Sequence, residues 1–409
     1  MTKLGIAHSN KQDAFQAATH IAETALRSGG LTRPDLVIAF CAGGLDHEEF
    51  FKGLQSTAGP HTPIIGGSSI GIITNKEISY EGFPAVAALI QSDAMEFMVK
   101  AVGGLNQSEF SAGQRLMEAF PRCQEEKLLL AFYDSVRVPA SESAPPVLNA
   151  SAPFIAGMEN VLQRGLPIIG AGLLGDYAFS PTRQFCGSFV ADQHAVACLV
   201  SGRISVYHVI MHGCVPLDGV YHRITKIQGS VLYELDGKPI VPLINEIYGN
   251  TDWQSQHPVN FLTIGVNHGE RYGLPQESSF VNRLITGVIP DGSGIGMFEP
   301  DLAPDTEIQF MIRDNKMMIS SARENTTNLL GKIEADKKSP LFALYIDCAG
   351  RTAELSYTEG EEAAEVQKIL NHLNIPLLGF YSGVEIAPLF GRSRGLDWTG
   401  VLMIIAEHE

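Results

Sequence analysis

The feature that most constrains this chain is a plan that occurs three times: an apolar strand, a helix, then Pro, two aliphatics and Gly. The first copy runs from LVIAFC (36–41) through a helix around Phe50, Phe51 and Leu54 to Pro63-Ile64-Ile65-Gly66. The second runs from LLLAFYD (128–134) through ASAPFIAGMENVLQRG to Pro167-Ile168-Ile169-Gly170. The third runs from LFALYID (341–347) through EEAAEVQKILNHLN to Pro376-Leu377-Leu378-Gly379. A helix between two short apolar strands is the signature of a crossover unit with parallel strands, and proline suits the first residue of a strand. Further strands follow each unit: FPAVAALI (83–90), CGSFVA with HAVACLVSG (186–202), and WTGVLMIIAE (398–407). The expected fold class is therefore α/β, with repeated strand–helix–strand units and additional antiparallel strands.

Ahead of the first copy, LGIAHS reads as a strand. Ser9 or Asn10 then caps a helix with Ala14, Ala17, Ala18, Ile21, Ala22 and Ala25 on its apolar face and Gly29-Gly30 as its stop. A length of 409 residues predicts two similar-sized domains. Composition shifts near 216–240, where VLYEL, an Asp236-Gly237 turn and Pro239 at a helix start succeed one another. The expected division is 1–220 and 221–409. A helix over Glu324–Ala335 leads into the third copy.

Charge and cysteine usage narrow the function classes. Asp and Glu outnumber Lys and Arg by 45 to 29, a net charge of -16, which argues against nucleic-acid binding, since phosphate contacts need clustered cations. No membrane span is expected: the longest charge-free stretch, Gly53–Asn75, is broken by Gly, Ser, Thr and Pro. The start, MTKLGIAHSNKQDAF, has no apolar signal core, and the expected location is cytoplasmic. Cys41, Cys123, Cys186, Cys198, Cys214 and Cys348 are scattered without a CxxC pair, so neither a disulfide framework nor a structural zinc site is expected.

Two short motifs fall in the same place of two copies. Gly67-Ser68-Ser69-Ile70-Gly71 matches the G-x-S-x-G elbow of serine hydrolases, with Ser69 as nucleophile, but β-branched IITNKEISYEGF follows where a helix is required. Gly170-Ala171-Gly172-Leu173-Leu174-Gly175 matches the dinucleotide fingerprint, yet Pro181 stands where its helix belongs. Both read more simply as one shared Gly-rich turn. No P-loop or HExxH sequence occurs. His208, His212 and Cys214 share one expected strand, where even spacing puts them on one face as metal or haem donors. His268 in GVNHGERYG is a further candidate axial haem ligand.

The sharpest polar residues are near the C-terminus. Cys348-Ala349-Gly350-Arg351 follows one strand directly, and Tyr381-Ser382-Gly383-Val384-Glu385 follows another. In parallel neighbours both loops lie at the edge where open α/β sheets bind ligands. Arg351 suits an acidic ligand group and Glu385 an ammonium; alternatively the two pair with each other. In the ligand-binding reading, Arg351→Ala weakens binding and leaves the fold intact.

The stretch from LYIDCAGR to IPLLGFYSGVEIAP resembles the closing part of FIST proteins, through Cys348, Gly350, Arg351, Gly379, Phe380, Tyr381 and Glu385. LVIAFCAGG through PIIGGSSIG is similar to the N-terminal FIST domain, and LYELDGKPIVPLINEIYG to the start of the C-terminal one. FVNRLITGV, with Arg283, looks like a family strand. Two departures stand out: Gly383-Val384-Glu385 where many relatives have a Gly-Glu pair, and Asp397-Trp398-Thr399 where many have His-Asn-x-Thr. The resemblance implies a cytoplasmic sensory module, not an enzyme. It would bind a small ligand through Arg351, Glu385, Tyr381, Ser382, Cys348 and Arg283. Amino acids are proposed as ligands for the family, and a free-standing branch binds haem, senses nitric oxide and acts on a histidine kinase. With no output domain read after the last strand, signalling is expected to pass to a separate protein partner. An enzyme using Ser69 and a pure interaction scaffold are the alternatives.

Overall fold

The computed structural model describes residues 2–121, 125–141, 146–162 and 165–408. Three units follow one another, each built as strand, helix, strand, helix, strand, hairpin, strand. The first comprises Thr2–Ser9, Ala14–Gly29, Leu36–Ala42, His47–Ala58, Ile64–Ser69, the hairpin Ile72–Thr74/Ile78–Ser79, and Ala85–Ser92. The second comprises Met95–Gly103, Glu109–Glu118, Glu126–Asp134, Ser151–Val161, Ile168–Leu173, Gln184–Gly187/Val190–Ala191, and His194–Gly202. The third comprises Ile204–Met211, Asn315–Ala335, Lys338–Cys348, Glu362–His372, Leu377–Ser382, Val384–Leu389/Arg392–Leu396, and Gly400–His408. The repeat read from the sequence is thus the middle of a longer unit that also has a leading strand and helix.

Each unit centres a six-stranded sheet on one parallel pair. The Pro-aliphatic-aliphatic-Gly signature has one physical cause in all three. The carbonyls of Pro63, Pro167 and Pro376 accept the amides of Val37, Leu129 and Ala343, each at 2.9 Å. Three residues on, a Cβ at Gly66, Gly170 or Gly379 would lie 2.0, 1.7 or 2.7 Å from the carbonyl oxygen of Ala39, Ala131 or Tyr345. Only glycine lets the paired strand approach that closely.

The hairpins are exchanged in a ring. The first unit's Ile72–Thr74 pairs with the third unit's Leu377–Ser382. The second unit's Gln184–Gly187 pairs with Ile64–Ser69 of the first. The third unit's Val384–Leu389 pairs with Ile168–Leu173 of the second. This closure covers one side of every parallel pair and ties the three sheets around a shared core. At the centre Phe40 stacks on Phe380 at 3.7 Å between ring centroids, and Phe132 meets them edge-on at 5.3 and 5.9 Å. The helices cover the outer sheet faces, forming separate cores for each unit. Strands such as LVIAFCA are buried on both faces, so they read as unbroken apolar runs.

Helix boundaries show local chemistry at work. The first helix is capped by Asp13, whose carboxylate accepts from Gln16 N, and not by Ser9 or Asn10; Gly30 ends it in the left-handed conformation (φ +59°). The helix expected over 324–335 begins at Asn315, because the Asp314 carboxylate accepts from Met317 N and so caps it.

Between the third unit's first strand and first helix lies an insertion. It is a nine-stranded sheet from Cys214–Pro216 to Glu307–Arg313, with the helix Ile240–Tyr248 and a core around Trp253. Position 220, where two domains were expected to meet, lies within it. The five described cysteines are buried and free, and Cys123 lies outside the described residues.

Candidate functional site

In the third unit, Lys338–Cys348 and Leu377–Ser382 are parallel neighbours, with Asp347 opposite Tyr381 and Cys348 opposite Ser382. Arg351 and Glu385 therefore leave the same edge of the sheet. They do not pair with each other. Arg351 is completely buried, with Nη2 2.5 Å from Glu362 Oε2 and Nε 3.4 Å from Asp347 Oδ1. Its Nη1 donates to the carbonyls of His212 (3.0 Å) and Trp398 (2.6 Å). Glu362 starts a helix, and Tyr345 donates to it at 3.3 Å. Burial pushes the carboxyls of Asp347 and Glu362 up while Arg351 pulls both down, and the net direction is upward.

The other expected ligand residues are also closed in. Glu385 is buried beside Ser382, whose Oγ donates to it at 2.8 Å, and its second oxygen has no partner. Burial pushes the Glu385 carboxyl well above the usual carboxylate range, while the Ser382 hydroxyl pulls it down. Tyr381 donates to Glu361 at 3.2 Å, and Tyr80 donates to the same carboxylate at 2.8 Å. Cys348 is buried, and burial raises its thiol well above its ordinary range, against the thiolate form that reacts. Arg283 belongs to a different place. It forms a bidentate pair with Asp301 in the insertion and donates to Gly395 O at 3.1 Å, fastening the insertion to the ring of three sheets, here termed the barrel. Beside it, Asp397 accepts from Leu284 N at 2.9 Å, and burial pushes its carboxyl up to about 7.

The donor triad read as one strand is broken. Ile204–Met211 ends before His212, the backbone turns at Gly213 (φ +66°), and Cys214 opens another strand. His208 Nε2 contacts Pro388 O at 3.1 Å. His212 is buried, with Nε2 at Glu277 O and Nδ1 accepting from Cys214 N, both at 2.9 Å. Its ring nitrogens are therefore both engaged. Among the described residues no hydrogen bond engages the His268 ring, and no group of three or more His, Cys, Asp or Glu is placed to hold a metal ion.

Ser69 is fully buried at the end of its strand, with an unpartnered Oγ, and the chain continues into the hairpin instead of a helix. It is Ser68 that meets a histidine, its Oγ 2.9 Å from His47 Nε2, but this pair is also buried. The Gly170–Gly175 turn likewise leads to a strand, so no helix N-terminus is there to receive a pyrophosphate.

The opening next to this edge lies one layer out, between the insertion and the barrel. A groove of about 680 Å³ is lined by Phe261, Arg313, Lys316, Ile319, Tyr357 and Thr358, among others. Arg313 is 5% exposed. Its guanidinium lies 3.7 Å from the Trp398 ring centre, and Nη2 donates to Gly350 O (3.0 Å) and Ser356 Oγ (2.8 Å). Nε has no partner. Burial and Arg351 pull its pKa down to about 10. Of the three buried arginines, Arg283 and Arg351 have carboxylate partners; Arg313 has none within 4.0 Å among the described residues. Sequence reasoning passed over it, because EIQFMIRDN ends a strand without any motif.

Models of the FIST N domain and the FIST C domain match residues 35–238 and 242–388. The chain belongs to the FIST family. FIST domains are associated with sensory signalling and ligand binding. The junction of the two matched regions lies in the insertion, so the third unit of this FIST protein draws on both. An uncharacterized protein of Mycobacterium bovis is 26% identical over 244 residues, covering 59% of this chain and 61% of the relative. An uncharacterized protein of Methanocaldococcus jannaschii is 38% identical over 74 residues, 18% of this chain and 14% of the relative. The chain thus spans about three-fifths of the length of the mycobacterial relative. Among solved structures, a cyanuric acid hydrolase from A. caulinodans aligns at 9% identity with a TM-score of 0.35, covering 100% of both chains. A chorismatase aligns at 9% identity with a TM-score of 0.32, covering 99% of each.

Proposed function

We propose that this FIST protein is a cytoplasmic sensor that binds a small ligand in the groove beside Arg313 and signals through a separate partner such as a histidine kinase. The observation that carries the reading is Arg313 itself, a buried cation with no carboxylate within 4.0 Å among the described residues, beside a groove formed jointly by the insertion and the barrel. A ligand there contacts two parts of the fold at once, so its binding energy favours one of their arrangements over another. Function by binding, not catalysis, is supported by the burial of Ser69 and of the Ser68–His47 pair. No helix among the described residues is long and apolar enough to cross a membrane.

The test is a thermal-shift screen of small metabolites on the purified chain, followed by kinase autophosphorylation with and without the hit. A stabilising hit that depends on Arg313 supports the reading. No hit, with no small molecule released on denaturation, leaves the scaffold alternative. Labelling by a covalent serine probe that disappears in Ser69→Ala points to a hydrolase. Haem is the alternative ligand, and of the candidate donors His208, His212 and His268 it is His268 whose ring no hydrogen bond engages among the described residues. Haemin addition that yields no Soret band, or a band unchanged in His268→Ala, removes that version.

A further inference from the structure

Among the described residues no carboxylate lies within 4.0 Å of Arg313 in this groove. A buried guanidinium without a counter-ion is costly, and this one spends only Nη2 and its ring face on the fold. A second observation points the same way. The helix Asn315–Ala335 begins at the groove, and Asp314 takes the amides of Met317 and Met318. Among the described residues, no hydrogen bond takes the amides of Asn315 and Lys316, at the positive end of the helix dipole. Thr358 adds a buried hydroxyl without a partner.

Among these polar groups the lining has three apolar surfaces, Phe261, Ile319 and the Tyr357 ring. Phe261 is 48% exposed, Tyr357 is 79% exposed, and Ile319 lies one helical turn after Lys316. Tyr357 is held in the left-handed region (φ +53°), a conformation that is costly for tyrosine. The side-chain charges balance, Arg313 and Lys316 against Asp314 and Glu359, which leaves the helix end as the surplus. That balance suits a single negative charge better than a phosphate dianion.

We infer that the groove binds a monocarboxylate with an apolar, ring-sized body, the carboxylate on Arg313 and the first helix amides, the body against Phe261 and Tyr357. The inference rests on the sensor reading and names its ligand class. A volume of about 680 Å³ is in the range of small-molecule sites.

The test titrates the full chain with phenylacetate, its neutral isostere phenylacetamide, and inorganic phosphate. Binding is followed by calorimetry and by tryptophan fluorescence in a Trp253→Phe background, which leaves Trp398, stacked on Arg313, as the reporter. Phenylacetate is expected to saturate one site, and phenylacetamide to bind at least about tenfold more weakly. Arg313→Gln should lose at least about tenfold in phenylacetate affinity with an unchanged circular dichroism spectrum. Tyr357→Gly removes one wall at a position whose backbone suits glycine, and should weaken phenylacetate several-fold. If Arg313→Gln does not fold, Tyr357→Gly and Lys316→Gln decide. Equal binding of acid and amide, phosphate binding with the same Arg313 dependence, or unchanged affinity in the variants overturns the inference. A neutral or cationic metabolite that stabilises the protein while phenylacetate does not overturns the carboxylate assignment alone. Failure of every metabolite removes the sensor reading with it.

Discussion

Replacing Arg351 with alanine tests whether the most conspicuous polar residue of the C-terminal turn serves the ligand or the fold. The sequence-level expectation was weakened binding on an intact fold. The structure predicts the reverse. The substitution leaves Glu362 and Asp347 buried without their cation, and the carbonyls of His212 and Trp398 without their donor. Removing one partner of a buried ion pair costs about 3–5 kcal/mol. Each stranded carbonyl adds up to about 1–3 kcal/mol, but groups sharing one network do not add fully. A net loss of about 4 kcal/mol is the working figure. With an unfolding entropy of about 2.1 cal/mol/K per residue, a chain of 409 residues has roughly 0.9 kcal/mol/K, so Tm should fall by about 5 °C.

The control is the pair replaced together. Arg351→Met with Glu362→Met removes the cation and its nearer carboxylate in one step and should recover part of the loss, since apolar replacement of a buried pair is often neutral, while Asp347 and the two carbonyls stay without their donor. Calorimetric melts of wild type, single and double variants at one pH provide the readout. An Arg351→Ala protein that melts within about 1 °C of wild type, against the ~5 °C expected, refutes the structural assignment. A double variant no more stable than the single refutes the ion-pair argument specifically.

Three further outcomes follow from other parts of the fold. Phe380→Ala opens a cavity where three aromatic rings meet and should cost about 3–5 kcal/mol in chemical denaturation. Glu299 caps the helix Ser151–Val161 from the insertion, accepting Ser151 N at 3.1 Å and Ala152 N at 3.3 Å, where Ala150 offers no side-chain cap. Glu299→Ala should therefore cost about 1 kcal/mol and speed amide exchange at 151–153, and Ala150→Ser should restore part of the loss. Asp397, with its carboxyl raised to about 7, binds its proton more tightly folded than unfolded, so its contribution is complete below about pH 4 and is lost as pH rises through 7. Tm of wild type should fall more steeply than that of Asp397→Asn between about pH 5 and 7.5; parallel curves refute the assignment.

How much of this was legible in the sequence depended on the range of the interaction. The Pro-aliphatic-aliphatic-Gly endings could be read because their cause is a contact between neighbouring strands, repeated three times. The burial of Ala14, Ala17, Ala18, Ile21, Ala22 and Ala25 could be read from 3.6-residue spacing. The hairpin exchange could not, since it pairs Ile72–Thr74 with Leu377–Ser382, some 300 residues away, and no local pattern encodes a partner. Arg351 and Glu385 were correctly placed on one edge, but their partners come from elsewhere: Glu362 starts the next helix, and the carbonyls belong to His212 and Trp398. Arg313 escaped notice because its lack of a partner is a property of the packed fold.

The three units end their central strands in the same way and close those ends differently. In the first, Ser68 is held by His47. In the second, Asp134 accepts from Thr182 at 2.6 Å and from the amides of Val136 and Gln193. In the third, Arg351 joins Asp347 and Glu362. Each buried polar knot rigidifies its own edge, because an unpaired member would carry a full desolvation penalty. None of the three edges is therefore an open ligand cleft in itself. What distinguishes the third is the insertion, which brings Phe261 and Arg313 against Tyr357 and Ile319 and so builds a groove on top of a finished knot. Gly350, with its carbonyl on Arg313 and its neighbour Arg351 in the knot, joins the two layers by one peptide. The ligand proposed for Arg313 would therefore press on the turn where insertion and barrel meet, and could favour one arrangement of the two over another.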